Sequence, residues 1–272
     1  MWRKYGYLGI ILIVLGQINQ FFRLPIVSQY SFLFLWIGYI LTVDAAVYKL
    51  QSKSLLYNQP KKFAFLFLLS AAFWLIFEVY NLVLKGWFYV GGFNLISFIL
   101  AFSTIIPAVF ETTDLIKAVK PVRNFRIKHR KIRKISVDLI MIIGVICLIL
   151  PLLLPQPIMW VLVWLGFFLL LDPINYLHKE KSILREFETG KLTYTLPLFV
   201  AGYITGFFWE LWNFKAHTKW TYTVPILDQI KIFEIPVLGF LAYGFFALEL
   251  FVFYTFVISL AKHKHKAYHQ NL

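Results

Sequence analysis

The sequence predicts an all-α integral membrane protein: eight transmembrane helices in two parallel four-helix repeats, with both termini in the cytoplasm. Three observations carry that expectation. The 272 residues are 60% hydrophobic and 19% aromatic but only 15% charged, where soluble domains devote about a quarter of their residues to charged side chains. Eight apolar stretches approach the roughly 20 residues that a helix needs to cross a hydrocarbon core of about 30 Å. The cations are segregated as well: threading the stretches alternately puts 22 of the 27 Lys and Arg on one side, which the positive-inside rule makes cytoplasmic.

In chain order the stretches cover about residues 7–22, 30–48, 63–84, 91–113, 136–154, 157–177, 193–213 and 234–261. The first follows Arg3 and Lys4 as the core of a signal peptide would. It lacks a small-residue cleavage site, and its counterpart in the second half, described next, argues that it is retained. The cytoplasmic side holds the 49–62, 117–134 and 179–191 loops and the tail with Lys262, Lys264 and Lys266; the opposite side holds only Arg23, Lys85, Lys215, Lys219 and Lys231. The expected location is the plasma membrane of a bacterium or archaeon.

A shift of 128 residues pairs WIGYILTVDAAVYKLQSKSLL (36–56) with WLGFFLLLDPINYLHKEKSIL (164–184), with eight of 21 positions identical. Trp36 meets Trp164, Gly38 meets Gly166, Asp44 meets Asp172 and Tyr48 meets Tyr176, and the same shift pairs Gly16 with Gly144. After a four-residue insertion F-E-V-Y-N (Phe77 to Asn81) pairs with W-E-L-W-N (Trp209 to Asn213), and one residue later W-F-Y (Trp87 to Tyr89) pairs with W-T-Y (Trp220 to Tyr222). The expected organisation is a first repeat at 1–116, a basic cytoplasmic linker at 117–135 and a second repeat at 136–272. Because four is even, both copies enter the bilayer from the same side, which implies a pseudo-two-fold axis along the membrane normal.

The net charge of +14 does not indicate nucleic acid, because loop topology accounts for it. The run KAVKPVRNFRIKHRKIRK at 117–134 reads first as a topological anchor and second as a surface for anionic lipid head groups. No nucleic-acid partner is expected, and membrane lipids are. The single cysteine, Cys147, excludes a disulfide framework or thiol pair. Nucleotide, zinc and nucleophile-elbow motifs are missing, so the expected chemistry uses no cofactor and no metal. The oligomeric state is not encoded in any motif.

Carboxylates in apolar segments are the functional candidates, since each costs roughly 2.5–3.5 kcal/mol at membrane depth and normally faces a bundle interior or water. Eight of the 13 qualify: Asp44, Glu78, Glu111, Asp138, Asp172, Glu210, Glu234 and Glu249. Asp44 and Asp172 precede cytoplasmic cations and read as partners of Lys49 and Lys179 or as caps of the cytoplasmic loops. Asp138 suits the dipole at a helix start, and Glu111 stands beside Thr112, Thr113 and Asp114 at a helix end. Glu210 and Asn213 share a helical face, flanked by Trp209 and Trp212, with His217 expected one turn further along. That stripe reads either as a proton relay or head-group site, or as an interhelical clamp to Glu78 with each glutamate backed by its own Asn, Asn81 or Asn213. One His with one carboxylate falls short of a usual metal set. Glu249 lies halfway through the last apolar stretch among Phe245, Phe246, Phe251, Phe253 and Tyr254, where desolvation suits a general acid and aromatic faces suit a positive charge.

Trp209 to Phe240 resembles the membrane-integral lycopene cyclase domain of carotenoid biosynthesis, a small duplicated helical unit, over about residues 209–255. Trp220 and Tyr222 match its W-x-Y stretch, and Ile235 with Pro236 its apolar-Pro-apolar pattern. The paired glutamates of that family are replaced here, since Gly239 and Phe240 follow the proline, Glu234 precedes it and Glu249 comes later. The resemblance implies acid-base chemistry on a polyene.

The expected function is therefore a cofactor-independent membrane enzyme, of cyclase, isomerase or hydratase type, acting on an isoprenoid or another long apolar lipid. Glu249 and Glu210 are its candidate acid and base, and Glu234 the alternate acid. Asn213, Trp220, Tyr222, Trp209, Trp212, His217, Glu78 and Asn81 are the candidate substrate-binding residues. Two rivals stay open: an ion-coupled carrier with half-sites in both repeats, and a scaffold subunit whose acids only lock helices together.

Overall fold

The computed structural model describes residues 2–22, 30–91, 95–118, 122, 125–223 and 230–270, the last eight as backbone alone. Helices α1 (Lys4–Phe22) and α2 (Ser31–Gln51) are followed by the one-turn α3 (Leu55–Asn58) and by α4 (Pro60–Leu84). A strand β1 (Trp87–Val90) precedes α5 (Leu95–Ser103) and α6 (Ile105–Lys117). The second half has α7 (Lys134–Leu153), α8 (Trp160–Leu177), a short α9 (Ile183–Thr189) and α10 (Thr195–Lys215). Strands β2 (Lys219–Tyr222), β3 (Lys231–Ile232) and β4 (Ile235–Pro236) then lead into α11 (Val237–Gln270). Seven segments are long and apolar enough to cross a bilayer, which makes the chain a multi-pass membrane protein. The expected span at 193–213 forms α10, of full spanning length but less apolar than the seven, because it carries Glu210, Asn213 and the buried Thr195, Gly202, Thr205 and Gly206.

Two expected spans depart in detail. The stretch at 91–113 is a broken helix, interrupted at Thr104 between α5 and α6. Pro107 has no amide to give the Ser103 carbonyl, and beside it Ser70 of α4 bridges the break, its hydroxyl donating to Phe102 O at 2.5 Å and accepting from Ile106 N at 3.1 Å. The last span starts at Val237, so Glu234 lies in the β3–β4 turn and not at the head of a helix.

Helices pack most closely in the pairs α1 with α2, α7 with α8 and α10 with α11, while α6 against α10 and α4 against α7 join the halves. The first pair shows how the sequence permits this. A Cβ on Gly9 would stand 2.7 Å from the Gly38 carbonyl, and one on Gly38 2.7 Å from that of Gly9, so the two backbones touch where only glycine fits. Cross-ties include Gln20 Nε2 to the Trp212 carbonyl at 2.7 Å and the Tyr80 hydroxyl to Leu148 O at 2.9 Å. The basic segment after α6 docks on the α9 end, with Ile127 N donating to Gly190 O at 2.9 Å. One core of buried side chains, from Phe32 to Val252, draws on helices of both halves.

The strands sit at the end of the bundle away from the chain termini. β1 pairs antiparallel with β2, with Trp87 opposite Tyr222 and Tyr89 opposite Trp220. Residues that correspond in the sequence comparison therefore face each other crosswise. The all-α expectation omitted these short strands, since four residues each are too few to show a period of two.

Candidate functional site

On α10, Gly202, Gly206 and Glu210 recur every four residues and so lie on one face. The missing Cβ atoms admit α11: one on Gly202 would lie 2.2 Å from the Tyr243 carbonyl, one on Gly206 2.3 Å from its ring. That close approach lets the Tyr243 hydroxyl reach Glu210 Oε1. Tyr222, carried in by β2, donates to the same oxygen at 2.6 Å. Glu210 is fully buried, and its Oε2 has no hydrogen-bond partner among the described residues.

Asn213, one turn on, makes no contact with the carboxylate. Its Nδ2 donates to Trp220 O and its Oδ1 accepts from Trp220 N, both at 2.9 Å. This reciprocal clamp holds β2 to the end of α10, and so fixes where Tyr222 and Trp220 stand. Trp220 Nε1 in turn donates to the Tyr222 hydroxyl at 2.8 Å.

The same construction recurs at the end of α4. Asn81 clasps Trp87 through Nδ2 to O at 2.9 Å and N to Oδ1 at 3.2 Å. Glu78 Oε1 accepts from Tyr89 at 2.6 Å, Trp74 at 2.8 Å and Trp87 at 3.3 Å. The expected clamp between Glu78 and Glu210 takes another form: each glutamate binds aromatic donors from its own half, and the strand pair joins the two. Tyr89 and Tyr222, both on strands outside the helices, are held above the ordinary tyrosine range, first by burial and then by the neighbouring carboxylate. They stay phenols.

Between the two glutamate sites lies a narrow cavity of about 40 Å³, lined by Tyr89, Tyr222, Tyr243, Phe246 and six of the nine tryptophans: Trp36, Trp74, Trp87, Trp164, Trp209 and Trp220. A wider cavity of about 420 Å³ adjoins it and shares Trp87, Trp164 and Tyr222. Its other walls are apolar residues of α8 and α11, including Val161, Leu165, Leu238 and Leu241, with Ile235 and Pro236 at one end. Val161 and Leu241 are 50% and 51% exposed on the outer face of the bundle, so this cavity opens sideways.

No family model, curated protein or solved structure matches the chain.

The structure thus gathers Glu210, Tyr222, Trp220, Trp209, Glu78 and, as a positioning group, Asn213 with Asn81 around one aromatic chamber. Trp212 packs on Trp36 behind it, with ring centroids 4.8 Å apart. His217 is elsewhere: α10 ends at Lys215 and Ala216 turns to extended backbone, so the expected helical stripe stops and His217 is exposed. Glu234 forms an ion pair with Lys219 across the strand turn. Glu249 is fully buried; it sits beside the Phe167 and Phe168 amides, one turn beyond Phe246, and lines neither cavity. Glu210 and Glu249 therefore do not meet as an acid-base pair.

Sequence reasoning passed over Tyr243, Trp36, Trp74 and Trp164. For Tyr243 a signal existed on the receiving side, in the small-residue spacing of Gly202 and Gly206 ahead of Glu210. Nothing in the sequence names the residue 33 positions on that fills it.

Proposed function

We propose that the protein is a cofactor-independent membrane enzyme performing acid-base chemistry on a long apolar, isoprenoid-like lipid in the aromatic chamber. The observation that carries this reading is the position of Tyr222, which lines both the lateral apolar cavity and the chamber while its hydroxyl rests on buried Glu210. A chain dissolved in the bilayer enters between α8 and α11 and presents its end to Tyr222. Glu210 lines neither cavity, so a proton reaches the substrate through a tyrosine hydroxyl. Tyr222 gives its proton to a carbon-carbon double bond as it takes one from protonated Glu210, and Tyr243 steadies the carboxylate left behind. Six indole faces stabilise the resulting cation, and the dry chamber keeps water from capturing it. Return of a proton from a neighbouring carbon restores the acid and leaves a shifted or cyclised product.

The resemblance of residues 209–255 to the lycopene cyclase domain supports the same chemistry, with a different acid, because Glu210 stands where the tyrosines converge. The reading includes eight spans as two parallel repeats with cytoplasmic termini in a bacterial or archaeal plasma membrane. The crosswise β1–β2 register and the twin Asn clasps support the duplication. One observation favours the carrier reading instead: the two glutamate sites are built alike. It predicts equal losses from Glu78→Gln and Glu210→Gln, whereas the enzyme reading places the larger loss at Glu210, whose Tyr222 carries the one hydroxyl among the described residues that line both cavities; Glu78 reaches both only through the indole of Trp87. The first experiment is extraction of the protein in mild detergent, with mass and absorption spectra of what remains bound. A stoichiometric polyene or isoprenoid supports the enzyme; bulk phospholipid alone overturns the substrate class.

A further inference from the structure

A second buried acidic site lies at the other end of the bundle, where α2 packs on α6. The two helices are tied on either side of it, by the Tyr39 and Thr112 hydroxyls at 2.7 Å and by Gln51 Nε2 donating to Asp114 O at 3.0 Å. Between those ties Asp44 and Glu111 are both fully buried, with their carboxyls within hydrogen-bonding reach of each other. Asp44 accepts at both oxygens: Tyr5 Oη donates to Oδ1 at 2.8 Å and Leu56 N to Oδ2 at 3.1 Å. Among the described residues, Glu111 has no hydrogen-bond donor at either oxygen.

The corresponding aspartate of the second half serves as an internal control. Asp172 accepts from two backbone amides, Ile183 N at 2.6 Å and Leu184 N at 2.8 Å, and caps the start of α9. Capping is thus the shared duty of the pair. A buried glutamate stands near each aspartate, but Glu186 near Asp172 accepts from Tyr194 N, Thr195 N and the Thr195 hydroxyl, whereas Glu111 has no such donors among the described residues.

We propose that Asp44 and Glu111 form a proton-binding site, in which Glu111 carries the proton and donates it to Asp44. Two adjacent carboxylates cannot both be ionised in a dry site, and the donors already on Asp44 leave Glu111 as the protonated partner. A metal ion fits poorly. Calcium and similar hard cations take six or more oxygens, and among the described residues no cluster of three metal-ligating side chains occurs. The other charged or titratable groups facing the pair are Asp114 on α6 and Lys62 on α4, with Tyr5 on α1; Lys117 pairs with Asp114 at 3.0 Å and so belongs to the surface above. The site stands independently of the lipid chemistry proposed for the chamber.

The test is infrared difference spectroscopy on the full chain in detergent at neutral pH, wild type against Glu111→Gln and, separately, Asp44→Asn. Glutamine keeps the shape and neutrality of a protonated glutamate, so the first variant is expected to fold. The expected result is loss of one protonated-carboxyl carbonyl band in Glu111→Gln and a shift of that band to higher frequency in Asp44→Asn, which weakens the hydrogen bond. If Glu111→Gln does not fold, the Asp44→Asn shift alone decides. A difference spectrum holding only carboxylate bands overturns the proposal, as does a melting temperature that rises with added sodium in wild type but not in the variants, which would replace the proton by a bound cation.

Discussion

Two tyrosine hydroxyls converge on one oxygen of Glu210, but they are not equivalent. Tyr222 lines both cavities and Tyr243 only the chamber. Tyr222→Phe is expected to lower turnover of the bound lipid by about 10²–10⁴-fold, the usual weight of a positioned proton donor, while Tyr243→Phe costs less because it only steadies the carboxylate. Steady-state turnover of both variants, with circular dichroism to confirm folding, measures the difference. Burial and a nearby carboxylate both oppose ionisation of Tyr89 and Tyr222. The neutral phenol is thus present throughout the ordinary range, and tyrosinate absorbance from these two rings is expected to emerge only above that of the exposed tyrosines. Glu210→Gln is expected to bring the Tyr222 signal down toward the normal range. The Asn213 clasp on Trp220 makes a stability prediction instead. Asn213→Ala leaves the half-buried amide and carbonyl of Trp220 unmet, so a loss of about 1–2 kcal/mol is expected, read as a lower melting temperature in detergent.

Elements meet here through absent side chains. The α10–α11 contact exists because Gly202 and Gly206 leave room for Tyr243, and an added methyl at Gly206 would press into the ring at 2.3 Å. Gly206→Ala is expected to destabilise by about 1–3 kcal/mol, the range for overpacking a close contact, and to lower activity to the level of Tyr243→Phe by moving its hydroxyl off Glu210. A double variant that loses no further activity than either single one checks that the two act through one contact. The break at Thr104 follows the same logic in the opposite sense. Pro107 lies just past the break, and the Ser70 hydroxyl on the neighbouring α4 meets Phe102 O and Ile106 N across it, as membrane helices require when their own ladder is interrupted.

At the scale of the molecule, helices from both halves enclose one aromatic chamber with a lateral apolar opening. Filling that opening is expected to separate access from chemistry: Ala242→Trp, on the cavity wall, should prevent a long lipid from being retained through purification and leave the fold intact. Mass spectrometry of the extract reads this directly. Single cysteines placed in a Cys147→Ala background at residue 2 and at residue 88 are expected to label from opposite sides of the membrane, with the first protected in intact cells.

Much of this organisation was legible in the sequence. Spans follow from apolar length, and the glutamates of the chamber from the cost of burying charge in lipid, because each of these rests on local composition. What remained hidden depends on partners distant in the chain. That Glu210 meets Tyr243, that Glu249 lines neither cavity, that Glu111 lies against Asp44, and that Trp87 stands opposite Tyr222 are decided by how helices rotate and cross, and the packing of small residues sets those angles. His217 shows the boundary between the two: its spacing from Glu210 was helical, but the helix ended first. The sequence by itself determined a multi-pass membrane protein with costly buried acids, since hydropathy acts residue by residue. Only the tertiary structure decided which acids share a chamber, because proximity across 33 or 67 residues is a property of packing.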